Sequence, residues 1–181
     1  MRKSHNTLPL LLLLLLIAPT AELHAQSTLE ERSRSVILVK NMEGLVPLSL
    51  SPTERIILLS DDLQAVKPLA RRLGSYLPAD RLSVRSVTRA PSLMADDLLV
   101  VAVSKGDRPL PGEVDSLLSQ RRSVLLFVDR PTADAYTHAV IAADAIALSA
   151  KGREGMSALA DALMGGIPFG GTLLASSIIS S

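Results

Sequence analysis

The stretch from Lys151 to Gly171, KGREGMSALADALMGGIPFGG, decides how this chain is read. Glycines stand at both ends of a core rich in Ala, Leu and Met, which suits either a phosphate-cradling loop or a helix punctuated by glycine. A phosphate loop of the Rossmann or Walker kind lies between a strand and the helix that follows it, so that backbone N–H groups and the helix dipole meet the anion. Gly152 and Gly155 precede the apolar run, but they do not form GxGxxG and no Gly-Lys-Ser/Thr follows. Met156, Leu159, Ala160 and Leu163 instead recur at helical spacing, Gly165 and Gly166 come after them, and Pro168 prevents the helix from resuming. The pattern predicts a packed amphipathic helix with a C-terminal glycine cap. Its acids, Glu154 and Asp161, are expected to cap the helix and face water.

Working back from this helix, short runs rich in Val, Ile and Leu alternate with segments of helical period. RIILLS (55–60), DLLVVAVS (97–104) and SVLLFVD (123–129) are continuous apolar runs, with LSVRSV (82–87) and AVIAADAIAL (139–148) as weaker strand candidates. Continuous rather than alternating apolarity fits parallel strands buried on both faces. Between them, Leu63, Val66, Ala70 and Leu73 repeat helically after cap candidates Asp61 and Asp62, and Gly74 supplies a stop. PGEVDSLLSQRR (111–122) predicts another helix, with acids in its first turn and arginines at its end as the macrodipole favours. TRAPSLMADD (88–97) reads as a surface connection, with Asp96 and Asp97 in water. The fold expected is α/β, a three-layer αβα sandwich around a mostly parallel sheet.

The N-terminus reads as a targeting segment. Arg2 and Lys3 precede the apolar run Leu8–Ala18, and a small residue at Ala25 suits signal peptidase. Cleavage there leaves residues 26–181 as one exported domain, periplasmic or extracellular, with no stable membrane insertion afterwards; an uncleaved N-terminal anchor is the alternative. The chain carries 19 basic and 18 acidic residues, and loss of Arg2, Lys3 and Glu22 with the leader leaves 17 of each. Such a balance gives no electrostatic case for nucleic acid or an anionic membrane. With no cysteine there is neither a disulfide framework nor a thiolate nucleophile.

Candidate chemistry is sparse. His138 is the one histidine beyond the leader, too few for a zinc site, so no metal or cofactor is expected. No GxSxG elbow accompanies it, which gives it a structural or surface role. Aromatic residues make up 2% of the chain, too few to propose a sugar-stacking platform. If a ligand site exists, the carboxyl ends of the parallel strands are where it belongs, pointing to Asp61, Ser104, Lys105, Asp107, Asp129 and Arg130.

Two landmarks carry a family resemblance. Gly152, Glu154, Gly155, Ala158, Leu159, Ala160, Asp161, Leu163 and Gly165, then IPFGGTLLAS, resemble the pattern Gly-x-Glu-Gly-x-x-Ala-Leu-Ala-Asp-x-Leu-x-Gly near the end of the C-terminal domain of family 3 glycoside hydrolases. RSRSVILVKNMEGLVPL (32–48) resembles the family's SIVLLKNE..LLPL lead-in to that domain, matching at Lys40, Asn41, Gly44, Leu45, Pro47 and Leu48. The two stand in the family's order and spacing.

The resemblance implies a helix from Leu29 to Lys40, although SVILV is β-branched and has strand propensity. It also implies a domain without the family's chemistry on board. Members place an aspartate nucleophile on a (β/α)₈ barrel, and retaining hydrolysis needs nucleophile and acid about 5 Å apart. In β-glucosidase-like members the acid is a glutamate on a loop of the second domain. The counterpart here, VAVSKGDRPLPGE (101–113), offers Ser104, Lys105 and Asp107, while Glu113 reads as helical. In N-acetylglucosaminidase-like members the acid lies on the barrel, and the GGIP..G ending is closer to that branch. Three readings follow: a domain not catalytic by itself, a subunit completing a glycosidase in trans on a separately encoded barrel, or a binder of carbohydrate or peptidoglycan fragments.

Overall fold

The structure is a computed structural model, and it describes residues 28–88, 91–105, 108–128, 136–150 and 152–170. The expected leader lies outside the described residues, as do Asp107, Asp129 and Arg130. The chain divides into two units, Met1–Glu31 and Arg32–Ser181. Residues 28–34 are helical (α1). Then come β1 (Val36–Asn41), β2 (Ile56–Ser60), α2 (Lys67–Leu73), β3 (Leu82–Ser86), β4 (Leu98–Val103), α3 (Gly112–Gln120), β5 (Ser123–Val128), α4 (Thr137–Ala142), β6 (Ala145–Ser149) and α5 (Arg153–Leu163).

The six strands form one sheet in the order β1-β6-β5-β4-β2-β3, parallel except for β1, which runs antiparallel to β6. Every residue of β2, β4 and β5 is buried, as continuous apolarity predicts. Successive side chains enter different cores. Ile56, Leu58, Val100 and Leu126 pack with Leu69 and Leu73 of α2 and with Met156, Leu159 and Leu163 of α5. Ile57, Leu59, Val101 and Phe127 pack on the opposite face with Val114 and Leu118 of α3 and Val140 of α4. This is the expected three-layer sandwich.

The quoted stretch folds as a capped, packed helix. Gly165 takes φ +76°, its N–H bonds to the Ala162 carbonyl at 3.2 Å, and the Gly166 N–H reaches back to the Asp161 carbonyl at 2.7 Å. That bond pair is the Schellman ending, which a side chain on the left-handed residue would strain. Gly155 has a different reason to be glycine. A Cβ there would sit 2.1 Å from the Ala150 carbonyl oxygen, so the absent side chain lets the first turn of α5 lie against the end of β6.

Several local expectations are corrected. SVILV is a strand, not the end of a helix: helicity stops at residue 34, and Val36 pairs with Ser149 of β6. Its β-branched residues favour the pleated surface, and Val36 and Val39 are buried there, so packing and propensity agree against the family analogy. The segment 139–148 is divided between α4 and β6, with Asp144 at the junction accepting the Ser123 N–H at 2.9 Å. α2 starts at Lys67 rather than near Leu63, and Asp62 closes the turn before it. Arg121 and Arg122 do not serve the dipole of α3, because the backbone is extended at Arg121 and both guanidinium groups bond elsewhere. At the outer edge of β1, the Gly170 N–H donates to the Val36 carbonyl (3.0 Å) and Ser33 Oγ to the Pro168 carbonyl (2.9 Å).

Candidate functional site

Parallel pairing sets Ser60 beside Ala102, so the residues following β2 and β4 emerge together at the carboxyl edge of the sheet. Three of the six candidates meet there. Asp61 Oδ1 accepts hydrogen bonds from the Ser104 N–H (2.9 Å) and the Ser104 hydroxyl (2.8 Å), and its Oδ2 accepts from the Lys105 N–H (2.9 Å). Both carboxylate oxygens are therefore engaged in pinning the loop after β4 to the end of β2. The sequence did not single out Asp62 as a site residue, yet it completes this edge. Its Oδ1 accepts the N–H groups of Gln64 (3.0 Å) and Ala65 (3.1 Å), and its Oδ2 lies 3.6 Å from Lys105 Nζ. Those two backbone hydrogen bonds hold its carboxyl below the usual carboxylate range, and the Lys105 charge acts in the same direction.

A second carboxylate was expected in water and is buried. Asp161, on the α5 face toward α2, has 2% of its side chain exposed and accepts bonds from Arg32 Nη2, Arg72 Nε (2.5 Å) and the Tyr76 hydroxyl (2.6 Å). Burial alone would raise its pKa. The hydrogen bonds from Arg72, Tyr76 and Arg32, with the Arg32 charge, outweigh that and hold it below the ordinary value. The same contacts push the Tyr76 phenol up, first through its bond to the carboxylate and then through burial. Arg72 also stacks over the Tyr76 ring, its guanidinium carbon 5.3 Å from the centroid. Helical spacing alone could not have found this cluster, because its cations come from residues 32 and 72 and its acid from residue 161.

Asp97 is corrected likewise. It is 4% exposed and takes a bidentate pair from Arg55 (2.9 and 2.8 Å) plus the Met94 N–H (2.8 Å), so it locks the start of β4. The Arg55 hydrogen bond lowers its pKa against the opposing effect of burial. Glu54, also buried, accepts from Arg122. His138 stands on α4 with 70% of its side chain exposed and Nδ1 2.6 Å from Asp115 Oδ2 of α3. No serine hydroxyl bonds to it among the described residues, where every buried polar side-chain atom has a partner and no group of three His, Cys, Asp or Glu could hold a metal. No helix among them is long and apolar enough to cross a membrane.

No protein-family model matches the sequence, and no curated protein does. Solved structures do match. The chain is similar to a fungal multi-domain GH3 β-N-acetylglucosaminidase with a GCN5-related glucosamine N-acetyltransferase region (TM-score 0.60, 14% identity, 84% of this chain and 19% of that one). It is also similar to the β-glucoside phosphorylase BglX (TM-score 0.56, 18% identity, 81% of this chain and 30% of that one). A third match is the β-glucosidase of Listeria innocua in complex with glucose (TM-score 0.55, 15% identity, 75% of this chain and 24% of that one). The fold is that of the family 3 glycoside hydrolase C-terminal domain. The chain spans from about a fifth to three-tenths of the length of these three proteins. Within this family 3 fold, the described strand-end residues form a hydrogen-bonded scaffold in which each carboxylate already has its donors.

Proposed function

We propose that the chain is an exported family 3 C-terminal-type domain in a carbohydrate-processing system, not catalytic by itself, which works beside a catalytic barrel that supplies the reacting groups. The observation that carries this reading is the commitment of Asp61 and Asp62. A glycosidase acid must hold a proton at working pH, which calls for a carboxyl whose pKa is raised and whose proton can reach the glycosidic oxygen. Asp62 is shifted the other way, and Asp61 uses both oxygens on Ser104 and Lys105. An acid tied down in this manner shapes a loop. The overlay on parts of multi-domain GH3 proteins supports the barrel as partner, and the basic start and apolar run of the leader support export.

The purified chain should release no aglycone from aryl β-glucosides or aryl N-acetyl-β-glucosaminides above a buffer blank. Added to a family 3 barrel expressed without its own second domain, it should raise that barrel's turnover, and Asp61→Asn should weaken the effect by loosening the loop after β4. Turnover by the chain alone that Asp62→Asn abolished would reverse the reading.

A further inference from the structure

Overall charge balance conceals one local imbalance. A cleft of about 390 Å³ between α2 and α5 is lined by Gln64, Lys67, Pro68, Arg71, Arg72, Ser75, Arg153 and Ser157, four cations and no acid. The volume is in the range of pockets that take small ligands. Among the described residues, the side chains of Lys67, Arg71 and Arg153 form no ion pair, hydrogen bond or ring contact. Lys67 and Arg71 are four apart on α2, so like charges are stacked on one helical face, an arrangement that destabilises a helix unless something neutralises it. Asp161, the nearby carboxylate, is withdrawn beneath the surface and already shared by Arg32, Arg72 and Tyr76.

Arg72 gives the cleft its geometry. Its Nε is fixed on Asp161 and its guanidinium carbon lies over the Tyr76 ring, while its terminal amino groups are not needed for the bond to Asp161. A guanidinium locked at Nε presents those groups in a constant direction, the preorganised fork that suits phosphate or carboxylate oxygens. Three further cations around it favour an anion of more than one charge. The hydroxyls of Ser75 and Ser157 donate to the carbonyls of Arg72 (2.6 Å) and Arg153 (2.9 Å), keeping both backbones in place at the rim.

We infer that the α2–α5 cleft is a binding site for the phosphoryl group of a small molecule, held by Arg72 as the fixed donor and by Lys67, Arg71 and Arg153 as the surrounding charge. The inference stands apart from the reading of the strand ends, since it involves neither Asp61 nor the loop after β4.

The test is calorimetric titration of the full chain with inorganic phosphate, glucose 6-phosphate and glucose, at constant ionic strength. Saturable binding of phosphate or glucose 6-phosphate is expected, with none for glucose. Equal affinity for the two phosphates would identify the free ion as sufficient, and a tenfold preference for glucose 6-phosphate would identify a sugar phosphate. Arg71→Gln/Arg153→Gln, at exposed positions that leave the Asp161 cluster intact, should weaken binding at least tenfold. Arg85→Gln on β3, in register with Leu59 of the opposite-face core, should leave it unchanged. Absence of saturable binding by either phosphate up to 10 mM overturns the inference, as does undiminished binding by a double variant that melts like wild type.

Discussion

Replacing Asp161 by Asn keeps the size of the side chain and one acceptor but removes its charge. Arg32 and Arg72 would then converge on a neutral amide while Tyr76 kept a partner. Removing one member of a fully buried ion pair costs about 3–5 kcal/mol, whereas solvent-exposed pairs contribute only about 0.2–1 kcal/mol. The carboxylate here is 2% exposed, but its arginines are 39% and 44% exposed and can turn to water. The cost should therefore lie between these limits, at about 2–3 kcal/mol. Urea unfolding followed by circular dichroism would measure it as a lower midpoint at unchanged slope.

The pH dependence adds an independent check on the same residue. Its folded pKa is depressed, so the stability it contributes is present above the unfolded carboxyl value of about 3.9 and disappears as pH falls through the folded value. The gap between wild type and Asp161→Asn should accordingly be full near neutrality and narrow below about pH 4. A cost under about 1 kcal/mol, or a gap that stayed constant on acidification, would mean that Asp161 is a solvated helix acid after all.

Further outcomes are expected. Leu159→Ala, at a fully buried position against the sheet, should cost about 2–5 kcal/mol, while Glu154→Gln in the exposed first turn of the same helix should cost less than about 1 kcal/mol; near-equal costs would refute the packing described. With Tyr136→Phe leaving Tyr76 as the one tyrosine, absorbance titration should give a midpoint above 10, and a midpoint at or below 10 would contradict the bond to Asp161. Intact mass of the exported protein should correspond to a chain starting at Gln26, and a full-length membrane-retained product would count against the leader.

What could be read from the sequence was whatever one segment reveals by its own periodicity. Continuous apolar runs at 56–60, 98–103 and 123–128 announced strands buried on both sides, and the spacing of Met156, Leu159 and Leu163 announced the packed face of α5. Analogy misled at Val36–Asn41, where it argued for helix and β-branching argued for strand. Burial of acids was not legible, because Asp97 and Asp161 look like ordinary polar positions until Arg55, Arg32 and Arg72 arrive from elsewhere in the chain. At the strand ends, Asp61, Ser104 and Lys105 were predictable from topology alone, since parallel neighbours place their following residues together. That they would bond to each other depended on backbone N–H directions, which no residue pattern encodes. The basic cleft escaped notice because Arg153 is remote in sequence from Lys67–Arg72 and a whole-chain charge count averages it away.

The meeting of Ser33 with Pro168 and of Val36 with Gly170 has a mechanical consequence. The path into the sandwich and the path out of it share one corner, beside the outermost strand. Tension applied between residues 33 and 170 would load the hydrogen bonds at that corner first and those between β1 and β6 next, ahead of the pairing among the parallel strands. A host protein could likewise accept Arg32–Gly170 as an insert in a surface loop with little adjustment of its own backbone, because the two attachment points are already side by side.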